Sequence, residues 1–487
     1  MEPNQARLPL WEAISAYRAE GLTRLHVPGH KGVQELPYPI GSEWGSIAEY
    51  DVTELPQSDD LYAPHGPLLE SQQLLACLYG TAESFYLVNG ASVGLMAALM
   101  AVIRGTDTTN RRFTPKVLLP REAHRSLWQG CIIADLWPVS AVVDVSEQAA
   151  VPLPPTLESL SDTLSEHPDI CAAVLLHPGY YGLTSDLHDM VDLLHSKNIP
   201  VIVDEAHGTH LRFLPMPIPD GLMCGADIVV QSPHKTAASL TQTAWMHCAA
   251  GLVKANDVRS ALRLLQTSSP NFPLMLSLEA ARHQLALQGE TCWHQTVSRV
   301  SGLRKHVEES RNLSCLSQWL PQRIVSDPCR IYILTGKAGY SGYEAASLLH
   351  SWGISVELAD YSGVLMVFTP NDSINTYAKT REALDRLSEH ALPPILPISF
   401  KLSLPVLTRV LSPRQAWCMN SHSVPLREAA GNIAAEIITV SPPGVPLITP
   451  GELITNDLVE LVTIMLQTGA TVTGISSDSF MIKVVHQ

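Results

Sequence analysis

From about residue 68 to residue 250, short apolar runs alternate with stretches whose apolar residues recur at helical spacing. The strand candidates are Lys116–Leu119, Ala141–Val145, Ala172–Leu176, Val201–Val203, Ile228–Gln231 and Ala244–Cys248. Helical patterns lie before and between them, near Leu68–Tyr79, Leu95–Arg104, Ser126–Ala134, Leu157–Glu166 and Asp186–Lys197. In the last, Leu187, Met190, Val191 and Leu194 stand at i, i+3, i+4 and i+7 behind the cap-like pair Thr184-Ser185. Strands alternating with helices of this length predict an α/β fold, with a mostly parallel sheet covered on both faces.

Beyond residue 250 the pattern changes. Residues 276–312 read as long helix and residues 313–400 as a smaller α+β unit. The Pro-rich stretch Leu392–Pro405 reads as a linker. A C-terminal unit follows, with an amphipathic helix carrying Leu458, Leu461, Val462 and Met465. The expected division is a large domain over 1–290, a small α+β domain over 291–400 and a C-terminal domain over 401–487.

Composition narrows the function classes. Of 487 residues, 46% are hydrophobic and 16% charged, enough apolar mass for a large core and too much for global disorder. The formal net charge is −15, which argues against a general nucleic-acid binder and against docking on anionic lipid. The nine cysteines are scattered with no C-x-x-C pair, so neither a disulfide framework nor a zinc site is signalled. The start shows no secretory signal pattern, and the longest uncharged apolar run, Val93–Ile103, is 11 residues, too short to span a bilayer. A soluble, reduced, cytoplasmic protein is the expectation.

Four segments carry candidate chemistry. The apolar strand at Val201–Val203 runs into Asp204, at the strand end where open α/β sheets bind ligands. Taken alone, Asp204 reads equally well as a helix cap. The run Ile228–Gln231 leads into Ser232-Pro233-His234-Lys235-Thr236, where Lys235 is a candidate buried, nucleophilic amine. Asn89-Gly90-Ala91-Ser92, opening an apolar helix, leaves backbone N–H groups suited to a phosphate, although many such turns hold nothing. His124 follows the strand at Lys116–Leu119, on the sheet edge expected for Asp204 and Lys235. A phosphate cradle, a flat imidazole, a carboxylate and a lysine on one edge together fit one cofactor, pyridoxal 5′-phosphate (PLP).

With these residues in place, the chain resembles the PLP-dependent ornithine/lysine/arginine decarboxylases, in their short form. The resemblance rests on His26-Val-Pro-Gly29-His30-Lys31-Gly32, Ser58-Asp59-Asp60-Leu61, Arg121–Gly130, His177-Pro178-Gly179-Tyr180-Tyr181-Gly182, Val203–His210, Gln231–Gln242, Thr267-Ser-Ser-Pro270 and Pro442–Glu452. It implies the PLP-dependent transferase fold type I, aminotransferase-like, with a small α+β domain and a C-terminal domain. It also implies that Lys235 carries the cofactor as a Schiff base, Asp204 pairs with the pyridine nitrogen and His124 stacks on the ring. Ala91, Ser92 and Ser232 would line the phosphate cup, with His207 and His234 close by and Ser268 approaching from a neighbouring subunit. A homodimer or dimer of dimers with shared active sites, a basic amino acid as substrate and a role in polyamine metabolism complete the expectation. The chain departs from the family's pattern at Ala91, Pro233 and Gly179, where hydroxyl residues are common.

A basic substrate brings a second cation that must be paired where it is buried. Glu452 is the first candidate for that role and Asp60 the second, while Glu452 also reads as a turn cap. Transamination on the same fold is the competing enzyme reading, and it wants an Arg clamp for the α-carboxylate. Arg330 and Arg409 are candidates by position only, each reading by default as a surface residue. A catalytically silent PLP-fold regulatory protein is the alternative from a different class. The joint presence of Lys235, Asp204 and His124 argues against it.

Overall fold

The apolar runs form the strands of a mostly parallel central sheet, and the periodic stretches between them form helices. The structure is a computed structural model and describes residues 3–32, 46–104, 114–216, 218–390, 392–395, 408–441, 444–476 and 480–486. In chain order the elements that matter here begin with α1 (Pro9–Ala19), α2 (Pro67–Tyr79), β1 (Glu83–Leu87) and α3 (Gly90–Val102). Then come β2 (Lys116–Leu118), α4 (Arg125–Ala134), β3 (Trp137–Val139), α5 (Leu157–Glu166), β4 (Ile170–Leu176) and α6 (Leu187–Ser196). They continue with β5 (Val201–Glu205), β6 (Ile228–Gln231), α7 (Pro233–Thr236), β7 (Ala244–Cys248), α8 (Ala255–Leu265) and α9 (Phe272–Glu308).

Two expectations need correction. Ala141–Val145 is not a strand; the third strand is Trp137–Val139. The stretch has strand-like alternation, with Ala141 and Val143 buried and Val142 57% exposed, yet Val145 makes only an isolated bridge to Pro152. Alternating burial without a ladder partner imitates a strand. Conversely Glu83–Leu87, absent from the strand candidates, is a strand that pairs fully with β7.

The chain divides into two compact units whose segments interleave, where the sequence suggested consecutive domains. The first comprises Met1–Arg104, Ile202–Pro215 and Pro219–Trp293. Its strands stand in the order β1-β7-β6-β5, with β5 and β6 parallel and β7 antiparallel to both β6 and β1. Every residue of β5, β6 and β7 is buried, as expected of strands covered on both faces. Helix α3 lies close against the sheet because Gly94 has no side chain. A Cβ there would stand 2.6 Å from Leu87 Cδ1 and 3.1 Å from Val230 Cγ1.

The second unit comprises Gly105–Val201, Met216–Ile218 and His294–Gln487. It holds the parallel strands β4-β2-β3. It also contains a four-stranded antiparallel sheet over a core that includes Val300, Ile331, Ile333, Leu349 and Leu384. A separate C-terminal core gathers Ile438, Ile448, Leu458, Leu461, Val462 and Val484. The helix there, Asn456–Gln467, buries Leu458, Leu461 and Val462 of the four residues its spacing named, with Met465 half-buried beside them. Residues 396–405 of the expected linker lie outside the described residues. No helix among the described residues is long and apolar enough to cross a membrane.

Candidate active site

Within the first unit, β5 and β6 end side by side in register, Asp204 opposite Val230 and Glu205 opposite Gln231. Burial of β5 within the sheet takes Asp204 out of water, leaving it 2% exposed. Burial pushes its carboxyl above the ordinary range, and the Lys235 charge and the Ala206 amide, at 3.1 Å, pull the other way. Lys235 stands in α7, a single turn started by Pro233, four residues beyond β6. Its Nζ lies 2.9 Å from Nε2 of the buried His207. Ser232, 1% exposed, is the N-cap residue of α7. His234 turns away, donating from Nδ1 to the Thr243 carbonyl at 2.7 Å, and burial lowers its pKa.

The turn between β1 and α3 lies in the same unit. Gly90 has φ +76, a left-handed turn that glycine adopts without strain and that aims the first N–H groups of α3 outward. Asn89 is the N-cap residue but makes no side-chain cap; its Oδ1 accepts instead from the Thr267 amide at 3.0 Å. Gln266 Oε1 accepts from the Val88 amide at 3.4 Å, and Gln242 Nε2 donates to the Val88 carbonyl at 2.7 Å. Three loops therefore converge on an uncapped helix start at half-buried Ala91 and Ser92. Ser268, next to the anchored Thr267, is exposed. Gln242 and Gln266 were not singled out from sequence, since neither carries ionisable chemistry.

His124, in the second unit, is the N-cap residue of α4. Its Nδ1 accepts from the Ser126 amide at 3.3 Å and lies 2.8 Å from Ser126 Oγ, which orients an otherwise exposed ring. Glu452 lies in the same unit and is 4% exposed. Its Oε1 accepts from Arg121 Nη1 at 3.0 Å and Arg409 Nη2 at 2.9 Å, and its Oε2 from the Thr449 amide at 2.7 Å. Both guanidiniums stack over Trp128. Glu452 thus already holds two cations of its own unit. Arg409, expected at the surface, is buried, and burial lowers its pKa. Arg330 is also buried, donating to the Tyr180 carbonyl at 2.7 Å beside Asp327.

Asp60, in the first unit, accepts the Tyr62 amide at 2.7 Å in a tight local turn. The larger structural part falls to its neighbour Asp59, 2% exposed with φ +77, whose carboxylate receives the amides of His65, Gly66 and Leu68. Burial alone would raise the Asp59 pKa; these amides outweigh it and hold it below the ordinary value.

Comparison with known proteins decides the family. Residues 8–376 match the family model described as the Orn/Lys/Arg decarboxylase major domain, and residues 402–478 match its C-terminal domain. The chain belongs to the Orn/Lys/Arg decarboxylase family. It is 31% identical to an arginine decarboxylase of Bacillus subtilis over 99% of both chains. Its fold matches the constitutive lysine decarboxylase of Escherichia coli with a TM-score of 0.80 at 19% identity, covering 99% of this chain and 82% of that one. A structure of SPT with PLP matches with a TM-score of 0.51 at 14% identity, over 66% of this chain and 76% of that one. The decarboxylase class and the aminotransferase-like α/β fold expected from the motifs are borne out.

Family membership and fold neighbours imply PLP, and the residues present fit it. A buried carboxylate, an amine beside an imidazole and an uncapped helix start are what a pyridine nitrogen, an aldehyde and a phosphate respectively need.

Proposed function

We propose that this family member releases the α-carboxylate of a basic amino acid as carbon dioxide, using PLP bound at Lys235, Asp204 and the start of α3. The pairing of Lys235 Nζ with His207 Nε2, next to buried Asp204, carries the reading. Arginine is the first substrate to test, because relatives that match over nearly their whole length are named arginine decarboxylases.

When bound, PLP supplies an electron sink for the pair left behind as the carboxylate departs. Asp204, desolvated and close to a cation, would hold a proton at the cofactor's pyridine nitrogen. His207 Nε2 would take a proton from the Lys235 ammonium, leaving Lys235 as the neutral amine that would hold the cofactor. The same pair returns a proton to the carbon that has lost its carboxylate. The N–H groups at Gly90–Ser92 would bind the phosphate, and His124, its ring oriented by Ser126, is the residue the family resemblance assigns to stack on the cofactor.

Transamination lacks an anchor in this reading, since Arg409 is engaged with Glu452 and Arg330 with Tyr180 and Asp327. Ser268 reaches the phosphate of a second copy, in a homodimer or dimer of dimers with shared sites. The cytoplasm is the compartment this reading favours. The decisive experiment incubates the PLP-loaded protein with arginine, lysine and ornithine separately and identifies the amine by mass spectrometry. Formation of the matching amine with carbon dioxide supports the proposal; a keto acid formed with transfer of the amino group would replace it with transamination.

A further inference from the structure

Successive residues of a strand point to opposite faces of the sheet, so the shared end of β5 and β6 has two sides. Asp204 lies on one face, and Glu205 lies on the other beside its register partner Gln231. On that second face buried polar side chains cross all four strands of the first unit. Glu205 and Gln231 are followed by His247 on β7 and Ser84 on β1. The first three are 0% exposed and Ser84 is 4% exposed. Buried polar groups are costly unless hydrogen-bonded, and here each one is bonded to the next.

The bonds run in one direction. Gln231 Nε2 donates to Glu205 Oε1 at 2.6 Å, so the Gln231 oxygen accepts from His247 Nε2 at 3.3 Å. Burial, aided by Arg212, pushes the His247 imidazole down to about 3, so the ring is neutral. Its Nδ1 therefore accepts from Ser84 Oγ at 2.8 Å. Glu205 Oε2 accepts from the Gly221 amide at 2.6 Å. These donors oppose burial and Asp220, which push the Glu205 carboxyl well above its ordinary range. Asp220 itself is paired with Arg212 at 2.6 Å.

Glu205 and Gln231 point away from the Asp204 face, yet their backbones root the turns that carry the lysine and the imidazole. Gln231 immediately precedes Ser232, whose carbonyl accepts the Lys235 amide at 2.9 Å. The Glu205 carbonyl accepts the Gly208 amide at 2.9 Å and closes the turn that carries His207. We propose that Glu205 and Gln231 are positioning residues, their side-chain bond locking together the strand ends that hold Lys235 against His207. The inference rests on the decarboxylase reading for its link to turnover. Releasing the strand ends lengthens the contact between Lys235 Nζ and His207 Nε2, so the imidazole no longer takes the lysine proton and the amine loses nucleophilicity. A misplacement of about 1 Å costs up to about 10²-fold in rate.

The test compares wild type with Gln231→Met, Glu205→Gln and the double variant Glu205→Gln/Gln231→Glu. The first removes the amide and keeps the length; the second leaves one of the two donors without an acceptor. In the double variant the amide on β5 donates to the carboxylate on β6, which still accepts from His247, so the bond returns with reversed polarity. In the cofactor-free full chain, trace acetylation of Lys235 relative to exposed Lys254 is read by peptide mass spectrometry. Lys235 labelling should fall at least fivefold in each single variant and recover in the double variant. With PLP bound, kcat for the basic amino acid should fall at least tenfold in each single variant, KM staying within threefold, and recover likewise. A purely structural bond would lower stability and leave Lys235 labelling and kcat per bound cofactor as in wild type. That result overturns the inference, as does a double variant no better than Glu205→Gln. Glu205→Gln and the double variant keep polar side chains of native size, so the test stands if Gln231→Met misfolds. Failure of the wild type to decarboxylate any basic amino acid removes the reaction reading, while the labelling still decides the positioning.

Discussion

Replacing Glu452 by Gln separates two roles for one carboxylate. The side chain is 5% exposed, and Arg121 and Arg409 beside it are 4% and 6% exposed. The variant keeps the shape and removes the charge, leaving two buried guanidiniums facing each other without a counterion. Breaking a buried pair by removing one partner costs about 3–5 kcal/mol. The strain falls on a small set of backbone bonds: Val410 N to Gly451 O at 2.8 Å, Ala434 N to Glu452 O at 2.9 Å and Gly451 N to Ala434 O at 2.9 Å. At about 1.4 kcal/mol per tenfold change, protection of those amides should fall by roughly 10²–10⁴-fold where local opening governs exchange. Hydrogen exchange read by mass spectrometry over residues 408–416 and 432–454 measures this directly. KM for the basic substrate should change little among molecules that remain folded. Unaltered protection together with a large rise in KM would refute the clamp and return Glu452 to the substrate.

Lys235→Ala should abolish turnover and the near-visible absorbance of lysine-bound PLP, read by absorption spectroscopy after loading. Asp204→Asn should retain cofactor while losing at least 10²-fold in kcat, since a neutral amide does not hold a proton on the pyridine nitrogen; near-normal turnover would show that another carboxylate serves. Mixing inactive Lys235→Ala with an inactive Ser268 variant should restore activity through one competent site per heterodimer, and no recovery after verified subunit exchange would count against shared sites. Glu122→Gln should change the pH dependence of stability, because Glu122 Oε2 is buried and no donor reaches it among the described residues. The folded protein binds the proton of this carboxyl more tightly than the unfolded chain, so ionising Glu122 lowers stability as pH rises from 4.5 to about 7. The variant should therefore gain at most about 3 kcal/mol over wild type at pH 8 and nothing at pH 4, measured by denaturant titration at both values.

Periodicity and strand-end chemistry were legible where a residue's environment follows from its own segment. Ile228–Gln231 and Ala244–Cys248 are strands over the ranges their apolar runs define, and Leu157–Glu166 is a helix over the range its spacing defines. An apolar strand ending in a polar residue puts that residue at the sheet edge whatever the rest of the chain does. For that reason Asp204 and Lys235 could be named before any contact was known. Ala141–Val145 failed because alternation reports burial, and a strand also needs a neighbour to bond to.

Partnership is what the chain alone did not determine. Glu452 and Arg121 are 331 positions apart, and nothing local to either announces the pairing. Arg409 and Arg330 looked like surface cations because single charged residues usually are; the tertiary structure buries them against carboxylates and carbonyls. Glu122 carried no signal of its own, lying between a conspicuous arginine and a conspicuous histidine. Only the folding of Pro152, Leu176, Tyr180 and Val445 around its carboxylate sets it apart from an ordinary solvated glutamate. Local pattern decides which residues reach the sheet edge, because backbone geometry is set within a few residues. Desolvation and pairing decide what each charge does there, because both depend on segments brought together from far along the chain.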